Sequence, residues 1–163
     1  MVTDSSSRRA KWVLLAYRLP REPSTPRIAV WRKLRRLGAA QLLDGLVALP
    51  LDSRNREQFE WLANEIVEAS GEATLWIGEL TSAAQERELA AQMAAAIASD
   101  YRALVEEADR IREESPGSRR RSLSRLRREL RRIRARDHFP PPEREQAQRA
   151  VDSLAAFVEE IVA

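Results

Sequence analysis

Cysteine is absent from the 163-residue chain, so no disulfide, thiolate metal site or cysteine nucleophile can be built from it. Histidine occurs once, as His138 in RDHFPPP, which leaves no set of imidazoles for a His-rich metal site. Glycine occurs only five times and never in the clustered run that cradles a phosphate. No serine stands in a nucleophile motif. The acidic residues between 53 and 72 fall mostly on a helix surface, outside any metal-ligand pattern. No stretch approaches the roughly 20 apolar residues that span a bilayer. The start, MVTDSSSRRAK, has no apolar run behind its basic residues, unlike a secretory leader. Catalytic residues, metal ligands and cofactors are therefore not expected, nor is a membrane role. A cytoplasmic setting fits the lack of cysteine.

What the chain does have is arginine, and charge in blocks. The formal net charge is +3, but residues 1–40 carry a balance of +8, residues 41–114 one of −10, residues 115–136 one of +9 and residues 137–163 one of −4. Blocks of this size steer a polyanion to one surface, or pair with each other within a molecule or across a dimer. Arginine supplies nearly all the positive charge, which a base-composition bias in the encoding genome also produces.

The apolar pattern predicts an α+β chain in three parts: a mobile polar tail over residues 1–10, a ferredoxin-like domain over 11–81 and a helical extension over 82–163. Within the tail, Arg8 and Arg9 are available for weak electrostatic contacts. KWVLLAYRL (Lys11–Leu19) reads as a buried strand. Thr25 as N-cap with Pro26 at the first helical position starts a helix that Gly38 stops. Its apolar side is expected to be Ile28, Trp31, Leu34 and Leu37, which makes Trp31 a core residue. AAQLLDGLVALPL reads as two strands around an Asp44-Gly45 turn. Asp52 or Ser53 caps a second helix with Phe59, Leu62, Ala63 and Ile66 on one face and Gly71 at its end, and EATLWIGEL closes the set as a strand. Strand, helix, strand, strand, helix, strand is the split βαβ pattern. Beyond Ser82, apolar seams at alternating spacings of four and three predict a helix over 83–114, a break at Pro116-Gly117 and two further helices packed beside it.

Two basic segments are candidate phosphate contacts. The first is the helix with Arg32, Lys33, Arg35 and Arg36, together with nearby Arg18, Arg21 and Arg27. The second is SRRRSLSRLRRELRRIRAR (Ser118–Arg136), with Arg119, Arg120, Arg121, Arg128 and Arg132 as the candidates. Ten arginines against one glutamate repel one another along that helix, so an acidic partner has to offset them. The partner is either nucleic acid or the acidic helix carrying Glu106, Glu107, Asp109, Glu113 and Glu114. Trp12, Trp61 and Trp76 are expected to be packing residues. Trp61, off the apolar stripe, also suits a dimer contact. Asp137 and His138 are expected in a cap or turn.

Trp12–Pro50 (WVLLAYRLPREPSTPRIAVWRKLRRLGAAQLLDGLVALP) and Arg56–Trp76 (REQFEWLANEIVEASGEATLW) resemble the amino-terminal domain of the ChrB family, bacterial regulators linked to chromate-resistance operons. YRLPREPSTPR and VWRKLRRLGA carry the specific part, and RARDHFPPP extends the likeness. The resemblance implies a regulator that binds promoter DNA and answers to chromate. It also implies a ferredoxin-like unit similar to a module of PaaX-type repressors and to small CRISPR adaptation nucleases. Those nucleases place an acidic residue at the end of the first strand, where this chain has Tyr17-Arg18, which disfavours metal-dependent hydrolysis. Family members usually carry a second, carboxyl-terminal domain, and the chain is expected to stand alone without it. The leading expectation is a homodimeric, non-enzymatic regulator bound to double-stranded DNA. The alternative is a protein–protein adaptor whose helical bundle docks a separately encoded sensor.

Overall fold

The computed structural model describes residues 9–160. The polar tail expected over residues 1–10, except Arg9 and Ala10, lies outside the described residues, as does Ile161, expected as the last apolar position of the third helical seam. The elements in order are β1 (Trp12–Arg18), α1 (Thr25–Leu37), β2 (Ala40–Leu43), β3 (Leu46–Pro50), α2 (Ser53–Glu68), β4 (Glu72–Gly78), α3 (Ala83–Arg112), α4 (Pro116–Ala135) and α5 (Glu143–Glu160). Two compact units divide the chain, one running to Ala90 and the other starting at Ala91.

The first unit holds a four-stranded sheet in the order β2-β3-β1-β4, with β1 antiparallel to both β3 and β4. With α1 and α2 this is the expected ferredoxin-like arrangement, in which β3 lies between β1 and β2. Alternate residues of the strands point to one face. Val13 and Leu15 of β1 and Val47 and Leu49 of β3 are therefore buried together against Val30 and Leu34 of α1 and Phe59, Leu62 and Ile66 of α2. The Asp44-Gly45 turn forms as the dipeptide predicts, with Gly45 at φ 78°.

Asp52 is the cap of α2, its Oδ1 accepting the Asn55 N–H at 2.7 Å. The buried Asn55 side chain in turn donates to the Pro50 carbonyl at 2.9 Å. Several boundaries differ from the sequence reading, among them the end of α3, which stops at Arg112 and not at 114. Helix α1 takes Ser24 as its N-cap, one residue before Thr25. Helix α2 stops at Glu68, before the Gly71 expected to end it, and Ser70 takes the left-handed conformation after it at φ 66°. Pro116 and Gly117 lie in the first turn of α4, so the break between helices falls just before them.

In the second unit the three seams meet in one core. Ile97, Tyr101, Leu104, Ala108 and Ile111 of α3, Leu123, Leu126, Leu130 and Ile133 of α4, and Ala147, Val151, Leu154 and Val158 of α5 are all buried there. Polar ties close one end. Asp100 pairs with Arg136 at 3.2 Å, the Tyr101 hydroxyl donates to Asp137 at 2.7 Å, and Arg102 pairs with Glu143 at 3.2 Å. Asp137 thus sits in the turn between α4 and α5, as expected, and anchors it to α3. Burial pushes the Tyr101 phenol well above its ordinary range, and the Asp137 hydrogen bond and charge push the same way.

Candidate nucleic-acid interface

Helix α1 has two apolar stripes. Val30 and Leu34, one turn apart, are buried against the sheet, with Pro26 and Leu37 beside them half-buried. Ile28 and Trp31 lie on the opposite side, 46% and 52% exposed. The expectation that Ile28, Trp31 and Leu34 share the core face is therefore corrected: only Leu34 does. Positions 28, 31 and 34 drift by three residues a step, whereas a face spanning several turns must advance by alternating steps of four and three. The signal that identifies the true inner face is Val30, one turn before Leu34.

Arg32, Arg35 and Arg36 share the outward face with Ile28 and Trp31 and are exposed. The Arg35 guanidinium lies 5.0 Å from the Trp31 ring centroid, a cation–π contact. Arg32 and Arg36 form no hydrogen bond or ion pair among the described residues, and the same holds for Arg21 and Arg27. Two of the candidates are already engaged. Lys33 pairs with Glu65 of α2, and Arg18 pairs with its cross-strand neighbour Glu72 at 2.8 Å. The Arg18 pair is exposed on both sides, where such contacts contribute little. Arg27 lies close enough to Tyr17 to oppose the rise that burial imposes on its phenol, while Asp44 adds to that rise.

Helix α4 presents a second basic face in the other unit. Arg120, Arg121 and Arg128 are exposed and unpaired among the described residues. With Ser118, Ser124 and Arg125 they surround an open hollow of about 660 Å³. Arg127 and Arg131, which the sequence reading passed over, are exposed and unpaired as well. Arg127 lies seven residues after Arg120 and Arg131 four after Arg127, which puts both on the face of Arg120. Arg132 pairs within its own helix, with Glu129 at 3.5 Å.

Arg119 turns inward. It donates to the Arg112 carbonyl at 2.7 Å, and its guanidinium lies 5.0 Å from the Phe157 ring, as does that of Arg112. The acidic stretch at the end of α3 and in the link after it neutralises little of α4. Of Glu106, Glu107, Asp109, Glu113 and Glu114, only Glu114 reaches it, accepting the Ser118 and Ser122 hydroxyls at 2.7 and 2.8 Å. Those bonds, with Arg125 and Arg119 nearby, hold the Glu114 carboxyl below the usual carboxylate range. Glu107 pairs instead with Arg110 of its own helix. The reason is angular: α4 turns its leucine seam toward α3, so most of its arginines point elsewhere.

The other tryptophans divide. Trp12 is buried, as expected, whereas Trp61 and Trp76 are exposed, Trp76 to 61% on the edge strand β4. Among the described residues there is no acidic or histidine cluster able to hold a metal ion, and no helix is long and apolar enough to cross a membrane.

Residues 27–116 match the family model described as the N-terminal part of Protein ChrB. Protein ChrB of Cupriavidus metallidurans is 34% identical over 83 residues, which are 51% of this chain and 25% of that protein. The match thus spans about a quarter of that relative's length. No solved structure matches the chain.

Proposed function

The chain belongs to the ChrB amino-terminal family, and from that premise we propose that it is a non-enzymatic, cytoplasmic regulator of chromate-resistance genes that binds promoter DNA as a homodimer. One observation carries the DNA-binding part: guanidinium groups stand exposed, without carboxylate partners among the described residues, on the outward faces of α1 and α4. Such groups neutralise phosphates and release condensed counterions, which supplies most of the affinity for duplex DNA. They fix register on the backbone and carry little sequence information themselves. The proposed contacts are Arg21, Arg27, Arg32, Arg35 and Arg36 in the first unit, and Arg120, Arg121 and Arg128 in the second. Arg18, Lys33 and Arg132 have carboxylate partners to give up first, and Arg119 serves its own core.

A second reading has one observation in its favour. An open groove of about 630 Å³ between α3 and α4 has charges of both signs, Glu107, Glu129, Arg125 and Arg132, among its walls. Such a groove suits a charged segment of a protein partner such as a separately encoded sensor. A gel shift on the DNA upstream of the chain's own gene, with and without chromate, decides between the two. The regulator reading expects a retarded band. No band, with a protein partner captured in nuclease-treated lysate, supports the adaptor.

A further inference from the structure

A surface that only touches phosphates has no use for bare hydrophobic side chains, yet Ile28 and Trp31 stand about half-exposed among the cations of α1. The inner face of the helix is already satisfied by the sheet, so this pair is not needed to hold the fold. An apolar spot ringed by polar groups marks a contact surface. The ring here is positive: Arg32, Arg35 and Arg36 lie within eight residues of Ile28 on the same helix, and Glu22, in the loop before the helix, is the only acidic residue between Tyr17 and Ala40. Arg35 lies over the indole and limits its freedom before any partner arrives.

We propose that Ile28 and Trp31 form an apolar wedge that seats against a base step of duplex DNA while Arg32 and Arg36 hold the flanking phosphates. The proposal rests on the DNA-binding reading and adds to it the element that touches bases. Duplex DNA is a partner in which flat apolar surfaces lie between rows of anions, and the charge pattern of α1 complements it. Wedges of this kind partly unstack a step and kink the duplex by roughly 20–90°.

The test uses the full chain and a promoter-length duplex labelled at both ends for energy transfer. Affinity is measured at several salt concentrations for the natural protein, Trp31→Ala and Trp31→Phe. The wild type is expected to shorten the end-to-end distance on binding. Trp31→Ala is expected to abolish the bend and weaken binding by roughly five- to a hundredfold, the range of one lost aromatic–base contact. Its dependence of log K on log salt should stay that of wild type, because the phosphate contacts remain. Trp31→Phe should retain most of both effects. Since Trp31 lies on the surface, the variants are expected to fold, and an unchanged thermal midpoint checks this. Binding and bending by Trp31→Ala equal to wild type, with the wild-type salt slope still steep, would overturn the wedge and leave the regulator reading standing. A wild type that ignores duplex DNA but binds anionic vesicles or an acidic protein would overturn both.

Discussion

Two glycines flank the end of β1 where a methyl group has no room. A Cβ on Gly71 would lie 2.5 Å from the Arg18 carbonyl oxygen and 2.8 Å from the Ile66 side chain; one on Gly45 would lie 2.4 Å from the Tyr17 carbonyl oxygen. Gly78, at the end of β4, has nothing within 4 Å. Replacing Gly71 by alanine is therefore expected to cost about 1–3 kcal/mol, the usual penalty of overpacking. The same change at Gly78 should stay within about 0.5 kcal/mol of neutral. Urea unfolding of the two variants separates them, and equal midpoints would show that β1 does not pass as close to Gly71 as described. From sequence alone, Gly71 reads as a helix stop. Its role depends on a strand more than fifty positions earlier in the chain, which local pattern cannot reveal.

At the level of the element, the same limit explains which parts were legible. The seams of α3, α4 and α5 repeat over several turns, so a single misplaced residue does not shift the face, and all three were readable. Helix α1 has fewer than four turns and apolar residues on two sides, so pattern alone reads its core face one stripe off and places Trp31 inside. The Asp44-Gly45 turn and the Asp52 cap are local chemistry and were visible directly. The basic block was visible too, but which of its members already hold partners depends on Glu65 and Glu72, brought from other elements by folding. The connection between α3 and α4 carries its own prediction. Because the folded state lowers the Glu114 pKa, its stabilising effect is fully present above the ordinary glutamate range and is lost as pH falls through the lowered value. Glu114→Gln should therefore be less stable than wild type at pH 7. The gap should close as pH drops below about 4, near the unfolded pKa. A gap that is unchanged down to pH 2 would mean that Ser118 and Ser122 do not favour the charged carboxyl.

For the molecule as a whole, a net charge of +3 understates the field a polyanion meets, since the positive charge is concentrated in two blocks of sequence. Folding leaves a large part of both blocks unneutralised, because α1 and α4 each turn an apolar stripe inward and most of their guanidinium groups outward. The central claim is that these groups are there for phosphates. It is tested most directly by the slope of log K against log salt for a promoter-length duplex, measured on wild type, Arg32→Ala/Arg36→Ala and Lys33→Ala. Each lost phosphate contact lowers the magnitude of that slope by about 0.9, so the double variant should lose roughly 2. Lys33→Ala should leave the slope near wild type, since Glu65 already holds that amine. A double variant with the wild-type slope would contradict the claim.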